Sequence, residues 1–111
     1  MNSFLSYLLI NIVPVTSVTL MPTMMTRNEG QQINLTCETS NCNPRATIKW
    51  YKSSEDITSQ TTFLTRSVEG LQRTISMLLS TAVKDDNGKH VFCIASNSPT
   101  LNITSNAVTL N

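Results

Sequence analysis

Three cysteines (Cys37, Cys42, Cys93) and a single histidine (His90) are the side chains of this 111-residue chain best suited to covalent or metal chemistry. A zinc site wants closely spaced ligands, such as a C-x-x-C with a second pair, and this set does not supply them. A Cys–His nucleophilic pair needs a free thiolate, which a half-cystine committed to a core bridge cannot offer. His90 reads instead as a polar residue at the start of a strand. The carboxylates are too few and too scattered to nominate a general acid and base. The sequence therefore predicts no catalytic residue, no metal ligand, no cofactor and no small-molecule substrate.

The spacing does suit a structural bridge. Trp50 follows Cys37 by 13 residues, and Cys93 follows Cys37 by 56. Half-cystines on facing sheets can span the roughly 10 Å between layers, with an indole packed against the sulfurs. Closing a loop of that length would stabilise the fold by about 4 kcal/mol on the loop-entropy estimate. Cys42 is expected in a loop and cannot share the bridge between Cys37 and Cys93. It is either a free or partly buried thiol or a link to another domain or chain.

These residues must be held by strands. Val, Ile and Thr recur in short alternating runs, no helix of useful length is visible, and the length suits one domain. Gln32 to Thr39 alternates with Ile33, Leu35 and Cys37 on one side and Asn34, Thr36 and Glu38 on the other. Thr47 to Lys52 turns Ile48 and Trp50 inward. Gln72 to Ser80 is expected to turn Ile75, Met77 and Leu79 inward, and a later run does the same with Val91, Cys93 and Ala95. Val108 and Leu110 share a face in the last run, Asn106 to Asn111, and Thr61 to Arg66 suits an edge strand around Phe63.

Eight Lys and Arg stand singly against seven Asp and Glu, for a net charge of +1, so no basic patch suggests a nucleic-acid or anionic-membrane partner. No segment reaches the roughly 18 to 20 apolar residues of a spanning helix, so a membrane anchor would lie outside this sequence. The apolar run from Phe4 to Val13, closed by Pro14, reads as a secretory signal or, over Leu9 to Val13, as the last strand of a preceding domain followed by a linker, with a plain disordered tail as the third reading. Residues 1–15 are therefore set apart from a domain at 16–111, with residues before about Thr16 expected outside the core.

Five segments together resemble the C2-type immunoglobulin domains of cell-adhesion molecules, in the manner of the nephrin, nectin and synaptic-adhesion groups. They are Leu35-Thr36-Cys37-Glu38, Asn43-Pro44, Ile48-Lys49-Trp50-Tyr51-Lys52, Asp85-Asp86-Asn87-Gly88-Lys89 and Val91-Phe92-Cys93-Ile94-Ala95-Ser96-Asn97. The likeness runs from about Val15 to Asn111. It implies an all-β, two-sheet antiparallel sandwich with Greek-key connections. One departure stands out: many such domains carry Tyr two residues before the second cysteine, where its hydroxyl pins a corner, and here that position is Val91. The corner must be held by other hydrogen bonds.

Asn34-Leu35-Thr36 and Asn102-Ile103-Thr104 are glycosylation sequons, and alternation puts Asn34 on the wet face. Sugar acceptors, a core disulfide and a leader would all belong to the secretory pathway, hence to a cell-surface or extracellular protein. A cytosolic structural immunoglobulin module would need neither. Alternation also turns Tyr51, Phe92 and Ile94 away from the core on neighbouring strands, a candidate protein-binding patch. The function expected is a protein-binding module of an adhesion or recognition receptor, its contacts homophilic or heterophilic. The alternatives are a structural spacer domain and a secreted immune-recognition module.

Overall fold

The computed structural model describes residues 12–111. The alternating runs become nine strands: β1 (Val18–Met21), β2 (Gln32–Thr39), β3 (Thr47–Lys52), β4 (Glu55–Asp56), β5 (Thr61–Val68), β6 (Leu71–Thr81), β7 (His90–Ser98), β8 (Leu101–Thr104) and β9 (Val108–Thr109). Two short 3₁₀ turns, Thr58–Gln60 and Lys84–Asp86, are the helical elements among the described residues. The first sheet has the order β1-β2-β6-β5; the second has the order β4-β3-β7-β8, with β9 also paired to β7. All of these strand pairs are antiparallel. An immunoglobulin-like sandwich results.

The inner faces carry the apolar half of each alternation. Leu20, Ile33, Leu35 and Cys37 from the first sheet meet Trp50, Val91, Cys93, Ala95 and Val108 from the second, all of them buried. Cys37 is bonded to Cys93 across the layers, with a Cα–Cα distance of 6.7 Å. Trp50 lies fully buried in this core and donates its indole N–H to Ser76 Oγ (2.8 Å), so a hydrogen bond joins the sheets near the disulfide.

Strand β6 reverses one expectation. The residues turned inward are Thr74, Ser76 and Leu78, while Ile75 and Met77 are half-buried on the outer face and Leu79 is 59% exposed. A hydroxyl pair is tolerated inside because each member is satisfied. Thr74 Oγ1 donates to the Ala46 carbonyl (2.7 Å), and Ser76 Oγ donates to the Thr62 carbonyl (3.0 Å) while accepting from Trp50. The inward side of β6 carries the partner for the indole rather than the larger apolar side chains.

The core also begins earlier than the boundary near Thr16. Val15 is buried, its N–H donates to Asn97 Oδ1 (3.1 Å), and Val13 exchanges two backbone hydrogen bonds with Asn43 (2.8 and 2.9 Å). Asn97 Nδ2 donates to the carbonyls of Val13 and Pro44, closing that end of the sandwich. The greater part of the run from Phe4 to Val13 lies outside the described residues. Asn106 acts similarly on β1, accepting from the Leu20 N–H and donating to the Leu20 carbonyl, each at 2.9 Å. Its amide supplies the pair of hydrogen bonds that a neighbouring strand would make.

β4 and β8 were not legible beforehand. β5 extends two residues beyond the expected run and turns into β6 through Glu69 and Gly70, both at positive φ, as a two-residue hairpin requires. It is an edge strand, and Phe63, 61% exposed, carries the Arg45 guanidinium 5.7 Å from its ring centre.

Candidate functional site

β3 and β7 lie side by side in the middle of the second sheet, with Tyr51 opposite Phe92 and Lys49 opposite Ile94. Trp50 and Cys93 are fixed inward, so period-two alternation forces these four side chains outward. The Tyr51 and Phe92 rings stack at 5.5 Å between centroids and 18° between planes. Offset stacking of this kind stabilises a pair by about 0.5–1.5 kcal/mol beyond area burial. Both rings are half-buried, as is Ile94.

Charge frames this apolar centre. Asp56 on β4 is the cross-strand partner of Tyr51, and Lys49 precedes Tyr51 by two positions on the same face. Donation by the Thr58 N–H (2.9 Å) holds the Asp56 carboxyl below its usual range, with the Thr58 hydroxyl and the charge of Lys49 acting the same way. Asp56 is therefore an anion at neutral pH. A shallow groove continues from Tyr51 along Lys49, Ile94, Ser96 and Asn102. The arrangement can offer an aromatic anchor with a polar rim to another protein surface. The sequence had indicated Tyr51, Phe92 and Ile94 on this face, but not the flanking Asp56, because a two-residue strand leaves no periodic signal.

The two sequon asparagines are exposed on opposite sheets. Asn34 stands on the outer face of the first, opposite Leu79, and Asn102 on the outer face of the second, at the end of the groove. Cys42 is a free thiol and wholly buried, more deeply than a loop position suggested. Its backbone exchanges two hydrogen bonds with Gln72 (2.9 and 2.7 Å), and burial pushes the thiol above its ordinary pKa. His90 opens β7 and hydrogen-bonds Thr109 Oγ1 through Nδ1 (2.8 Å), a surface link between paired strands.

The corner that lacks tyrosine is held by charge. Lys52 Nζ donates to Asp86 Oδ2 (3.1 Å) with both side chains mostly buried, Lys89 reaches Asp86 Oδ1 (3.3 Å), and the Gly88 N–H donates to the Leu110 carbonyl (2.6 Å). Gly88, at φ 86°, takes a left-handed conformation that suits glycine. Among the described residues no three or more His, Cys, Asp or Glu gather as metal ligands, and no helix is long and apolar enough to cross a membrane.

Residues 16–100 match the family described as the CD80-like C2-set immunoglobulin domain. Among the curated proteins none matches the chain. Solved structures with the same fold include Rst D1-D2 (TM-score 0.76, 16% identity), where the match covers 90% of this chain and 51% of that one. The mouse nectin-like molecule 4 ectodomain, Ig1-Ig3, matches at TM-score 0.70 and 16% identity over 89% of this chain and 35% of its own. Dpr2 Ig1-Ig2 in complex with DIP-Theta Ig1-Ig3 matches at TM-score 0.64 and 18% identity over 89% of this chain and 32% of that chain. The chain thus spans about half of the first and about a third of the other two.

Proposed function

This chain belongs to the CD80-like C2-set immunoglobulin domain family, and we propose that it is an extracellular protein-binding module of a cell-adhesion or recognition receptor. Immunoglobulin domains are typically non-enzymatic binding modules, and those of adhesion ectodomains are typically extracellular. The observation that carries the reading is the stacked Tyr51–Phe92 pair on the outer face of the second sheet, with Ile94 beside it and Lys49 and Asp56 around it. Aromatic anchors ringed by polar groups are where binding free energy concentrates in protein interfaces.

Dpr2, one of the structural neighbours, was solved in complex with another immunoglobulin protein, DIP-Theta, which supports a protein as the partner class here. The Cys37–Cys93 bridge suits an oxidising compartment, and the exposed sequon residues Asn34 and Asn102 are acceptors for sugar added there. Contact is reversible surface complementarity, with no chemical step.

The test is association of the secreted chain with itself and with cell-surface proteins, scored by cell aggregation and surface binding. The double variant Tyr51→Ala/Phe92→Ala should weaken binding by about 30-fold or more, the effect of losing roughly 2 kcal/mol at a hot spot. A folded double variant that binds as tightly as the parent overturns the assignment of this face. A parent chain that binds nothing would instead leave a structural spacer.

A further inference from the structure

The outer face of the first sheet carries an apolar stripe beside the Glu38–Arg73 ion pair, where a solvated face is ordinarily polar. Ile75, Met77 and Leu79 follow one another along β6, and Leu64 stands opposite Ile75 on β5. On the other flank, Met21 of β1 and Met77 both pair with Thr36 of β2. Leu79, Met21 and Leu64 are 59%, 58% and 41% exposed. Single exposed apolar residues are ordinary, whereas a contiguous patch in neighbouring register positions invites association. Leu79 is the most open part because β5 begins at Thr61, which pairs with Leu78, so no edge strand flanks the next position.

Asn34 is the cross-strand partner of Leu79. Opposed side chains in such a pair have Cβ atoms about 4.5–5.5 Å apart. Asn34 and Thr36, the two residues a sequon needs, both project from this face, one beside Leu79 and the other between Met21 and Met77. We propose that an N-linked glycan on Asn34 lies over the Leu79–Met77 stripe and keeps this face from associating. The proposal rests on the secretory-pathway part of the function proposed above.

The modification is transfer of an oligosaccharide from a polyprenyl-pyrophosphate donor. Asn34 Nδ2 forms a bond to the anomeric carbon, the bond from that carbon to the pyrophosphate oxygen breaks, polyprenyl pyrophosphate leaves, and the amide releases one proton. The first sugars then start beside Leu79, with the open flank past the end of β5 to occupy. Asn102 has the same acceptor chemistry but lies among Ser96, Ser98 and Pro99, so it serves as an internal control.

The experiment compares the full chain, produced through a eukaryotic secretory pathway, with Asn34→Gln, Asn102→Gln and Asn34→Gln/Leu79→Thr. Glycan occupancy at each asparagine is read by peptide mass, exposed apolar surface by the emission of a hydrophobic dye, and association by sedimentation. Asn34 should carry sugar, and Asn34→Gln should raise dye emission roughly threefold and shift the protein toward oligomers. Adding Leu79→Thr should reverse both changes, and Asn102→Gln should leave dye emission at the parent level. Enzymatic removal of the glycan from folded parent protein should reproduce the Asn34→Gln result without any substitution.

Sugar at Asn102 with none at Asn34 overturns the proposal, as does a sugar-free Asn34 that leaves dye emission and association unchanged. Material with no sugar at either asparagine overturns the secretory premise together with it. Failure of the Tyr51 and Phe92 substitutions to affect partner binding would instead remove the binding-face assignment and leave the glycan result standing.

Discussion

The two outer faces of this sandwich are both partly apolar, but in different ways. On the second sheet the large side chains are aromatic, stacked on each other, half-buried and bordered by an ammonium and a carboxylate. On the first sheet they are aliphatic and thioether side chains, several of them more exposed, lying beside the sequon residue Asn34. Exposed apolar area alone would rank the first face as the better docking surface. Preorganisation argues the other way: a stacked pair has already given up much of its rotamer freedom, whereas Met and Leu side chains lose theirs on binding. The difference teaches that an interaction face is better recognised by rigid anchors with a polar rim than by the area it leaves uncovered.

The strongest way to break this comparison is to remove what joins the faces. Cys37→Ala/Cys93→Ala should cost about 4 kcal/mol and unfold both sheets in a single transition, followed by tryptophan fluorescence in urea. Two separate transitions would mean that the faces belong to independently stable layers. Next in size is the contrast between faces in binding: Tyr51→Ala/Phe92→Ala should weaken partner association by about 30-fold, while Leu79→Thr should leave it within about twofold. Equal losses from both would erase the distinction.

Smaller effects sharpen the comparison from inside. Ser76→Ala deprives the buried indole N–H of its acceptor and should destabilise the fold by about 1–3 kcal/mol, measured as a lower urea midpoint. An unchanged midpoint would show that the hydrogen bond between Trp50 and Ser76 does not set the inward side of β6. Asp86→Asn should cost about 1–2 kcal/mol, between the surface and buried ion-pair ranges, because Lys52 and Lys89 both lose a counter-charge. Thermal unfolding at low and moderate salt would read it, and no shift at either would remove the ion pairs as the substitute for the corner tyrosine.

Much of the second sheet was legible in the sequence because its alternation is unambiguous. Trp50 and Cys93 can only face inward, and that places Tyr51, Phe92 and Ile94 outside without further information. The stretch from Leu71 to Thr81 was not legible in this way. Both of its faces carry plausible core residues, Ile75, Met77 and Leu79 on one and Thr74, Ser76 and Leu78 on the other, and hydrophobicity favours the wrong set. The decision belongs to long-range hydrogen bonds, from Trp50 to Ser76 and from Thr74 to Ala46, which no local pattern encodes. The burial of Val15 was hidden for the same reason, since what holds Val13 and Val15 is an amide more than eighty positions away.

That tethering has a mechanical side. Val13 is fixed near the end of β7 at Asn97, while Leu110 is fixed at the start of β7 through Lys89 and Gly88 and bridges to Met25. The two attachment points are therefore separated by a nine-residue strand, about 30 Å at some 3.3 Å per residue. Tension applied between them would run parallel to the strands and load the hydrogen bonds in shear, many at once, rather than peel them one by one. The sulfur bridge sits between the two anchor points and would cap how far the layers could slide.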